Sequence, residues 1–155
     1  MSQIVSILKY EEGYRDAPFI DTLGYPTVAG GIKIGPKGAS LASYIFKVPE
    51  QVGDLWMQIL IEGKIFDLKK RPPVAAALRQ CNAPRADVLY SMAYQLGVEG
   101  LTGFKETLSS IAKGDFSSAA DSMLNSLWAR QTPARAKRHA AVMRSGTYDS
   151  YRGLI

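Results

Sequence analysis

The sequence predicts an α+β chain, mostly helical, with a small β-lobe inserted after a first helix and a helical lobe behind it. Three features carry that prediction. An opening segment sets Ile4, Ile7, Leu8 and Glu11 on one face at helical spacing. Residues 14–38 then change character to glycines, prolines and β-formers. Beyond Gly38 the pattern is helical almost to the end, with Pro and Gly where helices start and stop. At 155 residues, 46% of them hydrophobic, the chain can bury one core without disulfides or metals.

Each element follows from its own residues. The first helix, about 3–11, should close at Gly13 in a left-handed cap. "FIDTLGYPTVAGGIKIG" reads as short strands turning at Leu23-Gly24 and again around Gly30-Gly31. That ribbon, in a β-lobe of about 13–50, is too small to bury a core alone. "EQVGDLWMQILIEGKIFDLKK", about 50–70, is long enough to join two lobes, and Pro72-Pro73 stops it. Further helices fit 84–96, ended by Gly97; 105–112, closed by Gly114; and 116–127, opened by Asp115. The last fits 133–145, with Thr132 as N-cap before Pro133 and Gly146 as its close. Residues 71–155, with the N-terminal helix, make the helical lobe of a single domain.

Composition excludes several functions. Cys81 is the single cysteine and reads as a small buried hydrophobe. His139 is the single histidine, which removes most zinc-site and histidine-triad chemistry; no metal or cofactor is expected. The apolar run in "MSQIVSILKY" is too short and polar-flanked for an export signal or a membrane span. The expected location is therefore the cytoplasm until something else releases the protein, with no stable membrane insertion.

The net charge of +5 is uneven. Residues 1–70 carry eight basic and eight acidic groups; residues 71–155 carry eleven and six. Arg130 to Arg144 holds five basic residues and no acid, which points to an anionic partner. That run has no interleaved aromatics and no helix-turn-helix partner, so a guide toward an anionic cell envelope is expected rather than nucleic-acid binding.

The stretch "KYEEGYRDAPFIDTLGYPT" holds Glu11, Glu12, Asp16 and Asp21. Glu12 falls at the last turn of the first helix, while Asp21 and Thr27 fall in the ribbon that follows. A carboxyl on a helix end facing a carboxylate on a ribbon is what a glycosidase needs. One group protonates the leaving oxygen and the other directs water to the opposite face of the sugar. The acid must keep its proton near neutral pH, which takes burial or a like-charged neighbour. Spacing alone leaves this reading and two solvated carboxylates both open.

"EGYRDAPFIDTLGYPTVAGG" resembles the N-terminal motif of the phage lysozymes of the T-even type, the muramidases of the endolysin family. The family's catalytic Glu stands before Gly, its Asp before Thr-x-Gly-Tyr, and its Thr two residues after that Tyr. Glu12-Gly13, Asp21-Thr22-Leu23-Gly24-Tyr25 and Thr27 match every one. "MAYQLGVEGLTGF", "WARQTPARAKR" and "RSGTYDSYRGL" resemble the family's central helix and C-terminal region. The correspondence runs from residue 4 to the end and is weakest between 36 and 84.

The resemblance implies a lysozyme-like fold with a cleft between the lobes, and hydrolysis of the β-1,4 bond between N-acetylmuramic acid and N-acetylglucosamine of peptidoglycan with inversion. It implies Glu12 as general acid, Asp21 as the carboxylate that directs water, and Thr27 as the hydroxyl that positions it. Glu11 would pair with Arg138, supported by Tyr151, and Arg135 would lie near Glu12. Gln95 would bond an N-acetyl group, Phe104 would close a wall, and Gln131 and Thr132 would reach the peptide part of the substrate. Trp56 and Trp128 read as core anchors rather than sugar platforms. A monomeric endolysin is implied, one that needs a separate membrane-permeabilising protein to reach the wall.

The match departs at one place. The family reads Thr-x-Gly-x-Gly-His where this chain has Thr27-Val28-Ala29-Gly30-Gly31-Ile32. Gly31 is retained, the first glycine is displaced by one, and the histidine is replaced. That displacement is the one ground for an alternative, a catalytically inactive peptidoglycan-binding module. A lytic transglycosylase would use Glu12 without a second carboxylate, and the retained Asp21 speaks against it.

Overall fold

Helix α1 (Ile4–Glu12) buries Ile4, Ile7 and Leu8 and ends at Gly13, whose φ of +73° is the left-handed cap that only glycine adopts without strain. A computed structural model describes residues 1–155 and resolves two compact units. The smaller is Val5–Leu60; the larger is Met1–Ile4 with Ile61–Ile155. Most of α1 falls in the smaller unit.

In the smaller unit, strands β1 (Arg15–Ile20), β2 (Pro26–Ala29) and β3 (Ile32–Lys33) form one antiparallel sheet in sequence order. Phe19 pairs with Thr27 and Val28 with Ile32, and a bulge lies between Arg15 and Phe19. Strand β2 is buried along its whole length. Two contacts fix the sheet and α1 to the start of α2 (Glu50–Leu68). The Tyr14 hydroxyl donates to the carbonyls of Val48 (2.9 Å) and Pro49 (3.0 Å). Lys9, in the last turn of α1, binds both Glu50 and Asp54. Tyr14 also explains Gly53, since a side-chain carbon there would lie 2.4 Å from its hydroxyl.

The larger unit is all helix. Pro72-Pro73, expected only to stop α2, instead opens α3 (Pro72–Gln80), because proline is favoured in a first turn where its missing N–H is not needed. Helix α4 (Ala83–Thr102) is broken at Gly97 (φ 81°, ψ 166°), so its first part ends where the sequence predicts. Helices α5 (Lys105–Ala112) and α6 (Phe116–Leu124) follow, the second capped by Asp115 through the Ser118 N–H. The expected helix 116–127 stops early. Ser126 donates to the Met123 carbonyl and accepts from the Ala129 N–H, so it starts α7 (Leu127–Gln131).

Helix α8 (Pro133–Ser145) closes at Gly146, φ +72°. Thr132 stands at its N-cap position, but its side chain makes no capping bond. The hydroxyl donates to the Trp128 carbonyl at 3.0 Å, serving the end of α7 just before it. Helix α3 packs on α5, and α6 and α4 pack on α8, around Leu89, Met92, Leu101, Leu108, Ile111, Met123 and Tyr151. Trp128 is buried as expected, whereas Trp56 is half-buried. Burial pushes the Cys81 thiol up to about 11, which keeps it an inert thiol.

Ser2, Gln3, Asp87 and Tyr148 make the main polar junction of this unit. The buried Asp87 carboxylate accepts from the Ser2 hydroxyl (2.6 Å), the Gln3 N–H (2.7 Å) and the Tyr148 hydroxyl (2.5 Å). It thereby holds the residues just before α1, where orphan helix N–H groups favour a negative charge.

Candidate active site

Glu12 ends α1, and the cap at Gly13 turns the chain at once into β1. The turn between β2 and β3 comes back against its side chain. A carbon added at Gly31, φ +83°, would lie 3.2 Å from Glu12 Oε2 and 3.3 Å from its Cβ and Cγ. Gly31 is therefore a wall of the Glu12 site rather than merely a turn residue.

The displaced glycine has its own neighbour. A carbon on Gly30 would crowd the Sδ and Cε at the end of the Met57 side chain, so Met57 would have to shift to admit one. Ala29, where the resembled pattern has glycine, holds φ +54° and is buried. A non-glycine residue thus holds a left-handed backbone at the position where the resembled pattern has glycine. Gly30→Ala should overpack Met57 and destabilise the protein by about 1–3 kcal/mol, and adding Met57→Ala should recover part of that. Denaturant unfolding of the two variants checks it.

Asp21 sits just past β1. Its Oδ1 accepts from the N–H groups of Leu23 and Tyr25, both at 2.9 Å, a turn that aspartate supports with its own side chain. Burial works to raise this carboxyl, but the Tyr25 and Leu23 N–H groups and the Lys33 charge outweigh it and hold it below its ordinary value. The stabilisation it brings is therefore present above the ordinary carboxylate value of 3.8 and is lost as pH falls through the lowered one. Asp21→Asn should flatten the acid-side loss of stability between about pH 5 and pH 2, read by thermal melts across that range.

Thr27 is buried on β2, and its hydroxyl donates to the Tyr25 carbonyl at 2.9 Å. One residue, Tyr25, thus fixes both groups: its N–H orients Asp21 and its C=O orients Thr27. Lys33 lies over the Tyr25 ring at 4.0 Å. Spacing pointed to Asp21 and Thr27, but not to this shared anchor.

Other expected site residues lie in the larger unit. Gln95 Oε1 accepts from Trp128 Nε1 at 2.8 Å, so the indole settles which end of the amide is which and presents its NH₂ as donor. Phe104 meets Trp128 edge-on, centroids 6.0 Å apart. Gln131 is exposed at the end of α7, whereas the Thr132 hydroxyl is committed to Trp128.

Arg135 is buried, with Nη2 on the Ser91 hydroxyl (2.9 Å) and carbonyl (3.2 Å). The same hydroxyl is 2.8 Å from His139 Nε2, and His139 Nδ1 is 2.7 Å from the Tyr151 hydroxyl. The Arg138 guanidinium lies 6.0 Å from the Tyr151 ring centre. Ser91 and His139 were not expected here. The signal was available, because His139 stands four residues after Arg135 on a face that also buries Ala136, Ala140 and Met143.

The basic run divides accordingly. Arg135 is buried, Arg138 is half-buried and Arg144 is held by Asp121 and Ser117, both at 2.7 Å, while Arg130 and Lys137 are exposed.

A mostly helical chain whose one small antiparallel sheet follows directly on an acid-terminated first helix has the architecture of a lysozyme-type glycoside hydrolase. Comparison with known proteins agrees. Over 98% of this chain and 99% of theirs, it is 27% and 26% identical to two Dictyostelium discoideum proteins, "Probable T4-type lysozyme 1" and "Probable T4-type lysozyme 2". It is also 30% identical over 96% of its length to the pre-baseplate central spike protein Gp5 of Enterobacteria phage T4, of which it spans 28%. No family model matches the chain. The chain is thus similar, along nearly its whole length, to proteins named as T4-type lysozymes.

Proposed function

We propose that this protein is a muramidase that cleaves the β-1,4 bond between N-acetylmuramic acid and N-acetylglucosamine in bacterial peptidoglycan. Glu12 is the general acid. Its proton goes to the glycosidic oxygen as the bond from that oxygen to the anomeric carbon breaks. Water forms the new bond to that carbon from the opposite face, which inverts it, and gives a proton to Asp21.

The observation that carries this reading is the pair of acceptors anchored on Tyr25. Asp21 has Oδ1 committed to two backbone N–H groups and Oδ2 available; Thr27 has its proton committed to a carbonyl and its lone pairs available. A water that donates one hydrogen to each has a lone pair left to aim at the sugar. Holding Asp21 below its ordinary value keeps it ionised, which suits the water-directing partner rather than the acid.

The alternative of a binding-only module rested on the moved glycine. Gly31 lies against Glu12 and Gly30 against Met57, which supports the hydrolytic reading over the binding-only one. Gln95, through its oriented NH₂, would donate to an N-acetyl carbonyl. For the biological setting we take bacteriolysis by an endolysin, held in the cytoplasm and admitted to the wall by a separate membrane-permeabilising protein.

Digestion of purified peptidoglycan followed by mass spectrometry tests the reaction. Muramidase action adds one water at each cut and leaves reducing N-acetylmuramic acid ends. Anhydro ends, lighter by one water, would replace this reading with a transglycosylase; an undigested polymer that retains the protein would leave only a binder.

A further inference from the structure

In the smaller unit, the segment between β3 and α2 carries apolar side chains that its core does not use. Ile45 is 91% exposed and Phe46 44%. The backbone on both sides of them is held. Before them, the Ser40 hydroxyl accepts from the Ala42 N–H at 3.1 Å and opens a single 3₁₀ turn, Leu41–Ser43. The Tyr44 N–H closes that turn on the Leu41 carbonyl at 2.9 Å, and the Tyr44 phenol lies against Gly35, where a side chain would collide with it. After them, Val48 is buried; its N–H donates to the Asp16 carbonyl at 2.7 Å and its carbonyl accepts from the Tyr14 hydroxyl. The Phe46 ring meets Tyr44 edge-on, centroids 6.5 Å apart. Ile45 is thus presented to solvent from a fixed base.

One exposed isoleucine needs no explanation by itself. The charges around this one supply it. Between Asp21 and Glu50 the chain has no acidic residue and three lysines, Lys33, Lys37 and Lys47. Lys33 is engaged, since it lies over the Tyr25 ring and its charge acts on Asp21. Lys37 and Lys47 are exposed, and neither forms an ion pair within the chain. Lys47 directly follows Phe46, and Lys37 stands two residues after the Gly35 on which Tyr44 packs. This segment also lies where the sequence corresponds least to the lysozymes it resembles, so it belongs to this chain rather than to the shared reaction.

We infer that the Tyr44–Lys47 tip is an interfacial anchor for an anionic lipid bilayer. Ile45 and Phe46 enter the boundary between headgroups and acyl chains, while Lys37 and Lys47 meet the headgroup phosphates. Exposed apolar side chains beside cations, with no acid among them, are what reversible binding to such a surface requires. Aromatic rings are favoured at that boundary, and the methylenes of a lysine can stay with the apolar part while its ammonium reaches phosphate. The anchor lies on the bilayer and spans nothing; no helix is long and apolar enough to cross a membrane. A second copy of the chain fits less well, because it would set lysine against lysine with no acid to answer. A wall polymer would use the cations and leave Ile45 without a role.

Co-sedimentation of the intact protein with vesicles tests the anchor. At about 0.1 M salt, vesicles of phosphatidylglycerol mixed with phosphatidylcholine should bind it at least ~10-fold more tightly than phosphatidylcholine alone. Ile45→Asp should weaken that binding at least ~10-fold, and Lys37→Gln with Lys47→Gln roughly 10–30-fold. Tm should hold in both variants, since these side chains are exposed. Ile45→Trp places a fluorophore at the tip, and its emission should shift to the blue with the anionic vesicles only. Equal binding to both kinds of vesicle, or binding that Ile45→Asp leaves intact, overturns the inference. Loss of binding in Arg130→Gln with Lys137→Gln but not in the tip variants would give the lipid to the larger unit instead. Indifference to vesicles, with retention on purified peptidoglycan that Lys37→Gln and Lys47→Gln abolish, would give the lysines to the wall polymer. Hydrolysis enters none of these readings.

Discussion

Glu12→Gln should lower peptidoglycan hydrolysis by ~10²–10⁴-fold, the usual contribution of a positioned general acid. Glutamine keeps the length and nearly the volume of the side chain, so its contact with Gly31 survives and the melting temperature should move little. What is lost is a proton to give the leaving oxygen. The measurement is clearing of outer-membrane-permeabilised Gram-negative cells by wild type and variant at equal concentration, beside a thermal melt of each. A folded Glu12→Gln protein that clears at the wild-type rate would remove Glu12 from the mechanism. Glu11→Gln is the matched control, because only Glu12 meets the β2–β3 turn at Gly31 among the contacts of that glycine. Its activity should fall far less than that of Glu12→Gln.

The largest stability effect is expected at Asp87. Asp87→Ala takes away one carboxylate and strands three donors: the Ser2 hydroxyl, the Gln3 N–H and the Tyr148 hydroxyl. Hydrogen bonds to a charged acceptor are worth about 1.5–3 kcal/mol each, but the site will relax and admit water, so a net loss of about 3–5 kcal/mol is expected. For a chain of this size that lowers Tm by roughly 10 °C. Asp87→Asn retains an acceptor and should lose less.

Tyr148 reports on the same junction from the alkaline side. Burial and then its bond to Asp87 raise the phenol well above its ordinary value of 10.0. Its contribution is whole below that value and is lost as pH rises through the raised one. Tyr148→Phe should therefore make the protein slightly less stable at neutral pH and less sensitive to alkali. An Asp87→Ala protein as stable as wild type would show that the N-terminal tether carries no weight.

Local punctuation was legible in the sequence. Gly13, Gly97, Gly114 and Gly146 mark ends that the structure realises, and each has positive φ. Such signals act over a few residues, which is why they can be read without tertiary contacts. The misses have the opposite character. Pro72-Pro73 can stop one helix or start the next, and only the packing of α3 on α5 decides. Thr132 before proline has the form of an N-cap, yet a short helix ending one residue earlier claims its hydroxyl.

The site divides in the same way. Glu12, Asp21 and Thr27 are expected from their order along the chain together with the family resemblance. Tyr25 as the common anchor of Asp21 and Thr27, Met57 against Gly30, and His139 beside Arg135 are facts of three-dimensional packing. Net charge misled in one respect. Counting cations from Arg130 to Arg144 gives a basic surface, whereas burial and pairing withdraw Arg135 and Arg144 from it.

The Asp87 junction also orders events during synthesis. Ser2 is made 85 residues before Asp87, and Asp87 61 residues before Tyr148. A growing chain on the ribosome can coil α1 early, but the carboxylate that secures its beginning comes much later, and the phenol that completes the junction later still. The start of α1 should remain exchangeable until that last partner emerges, so a nascent chain arrested before Tyr148 would stay open to proteases at its N-terminal end.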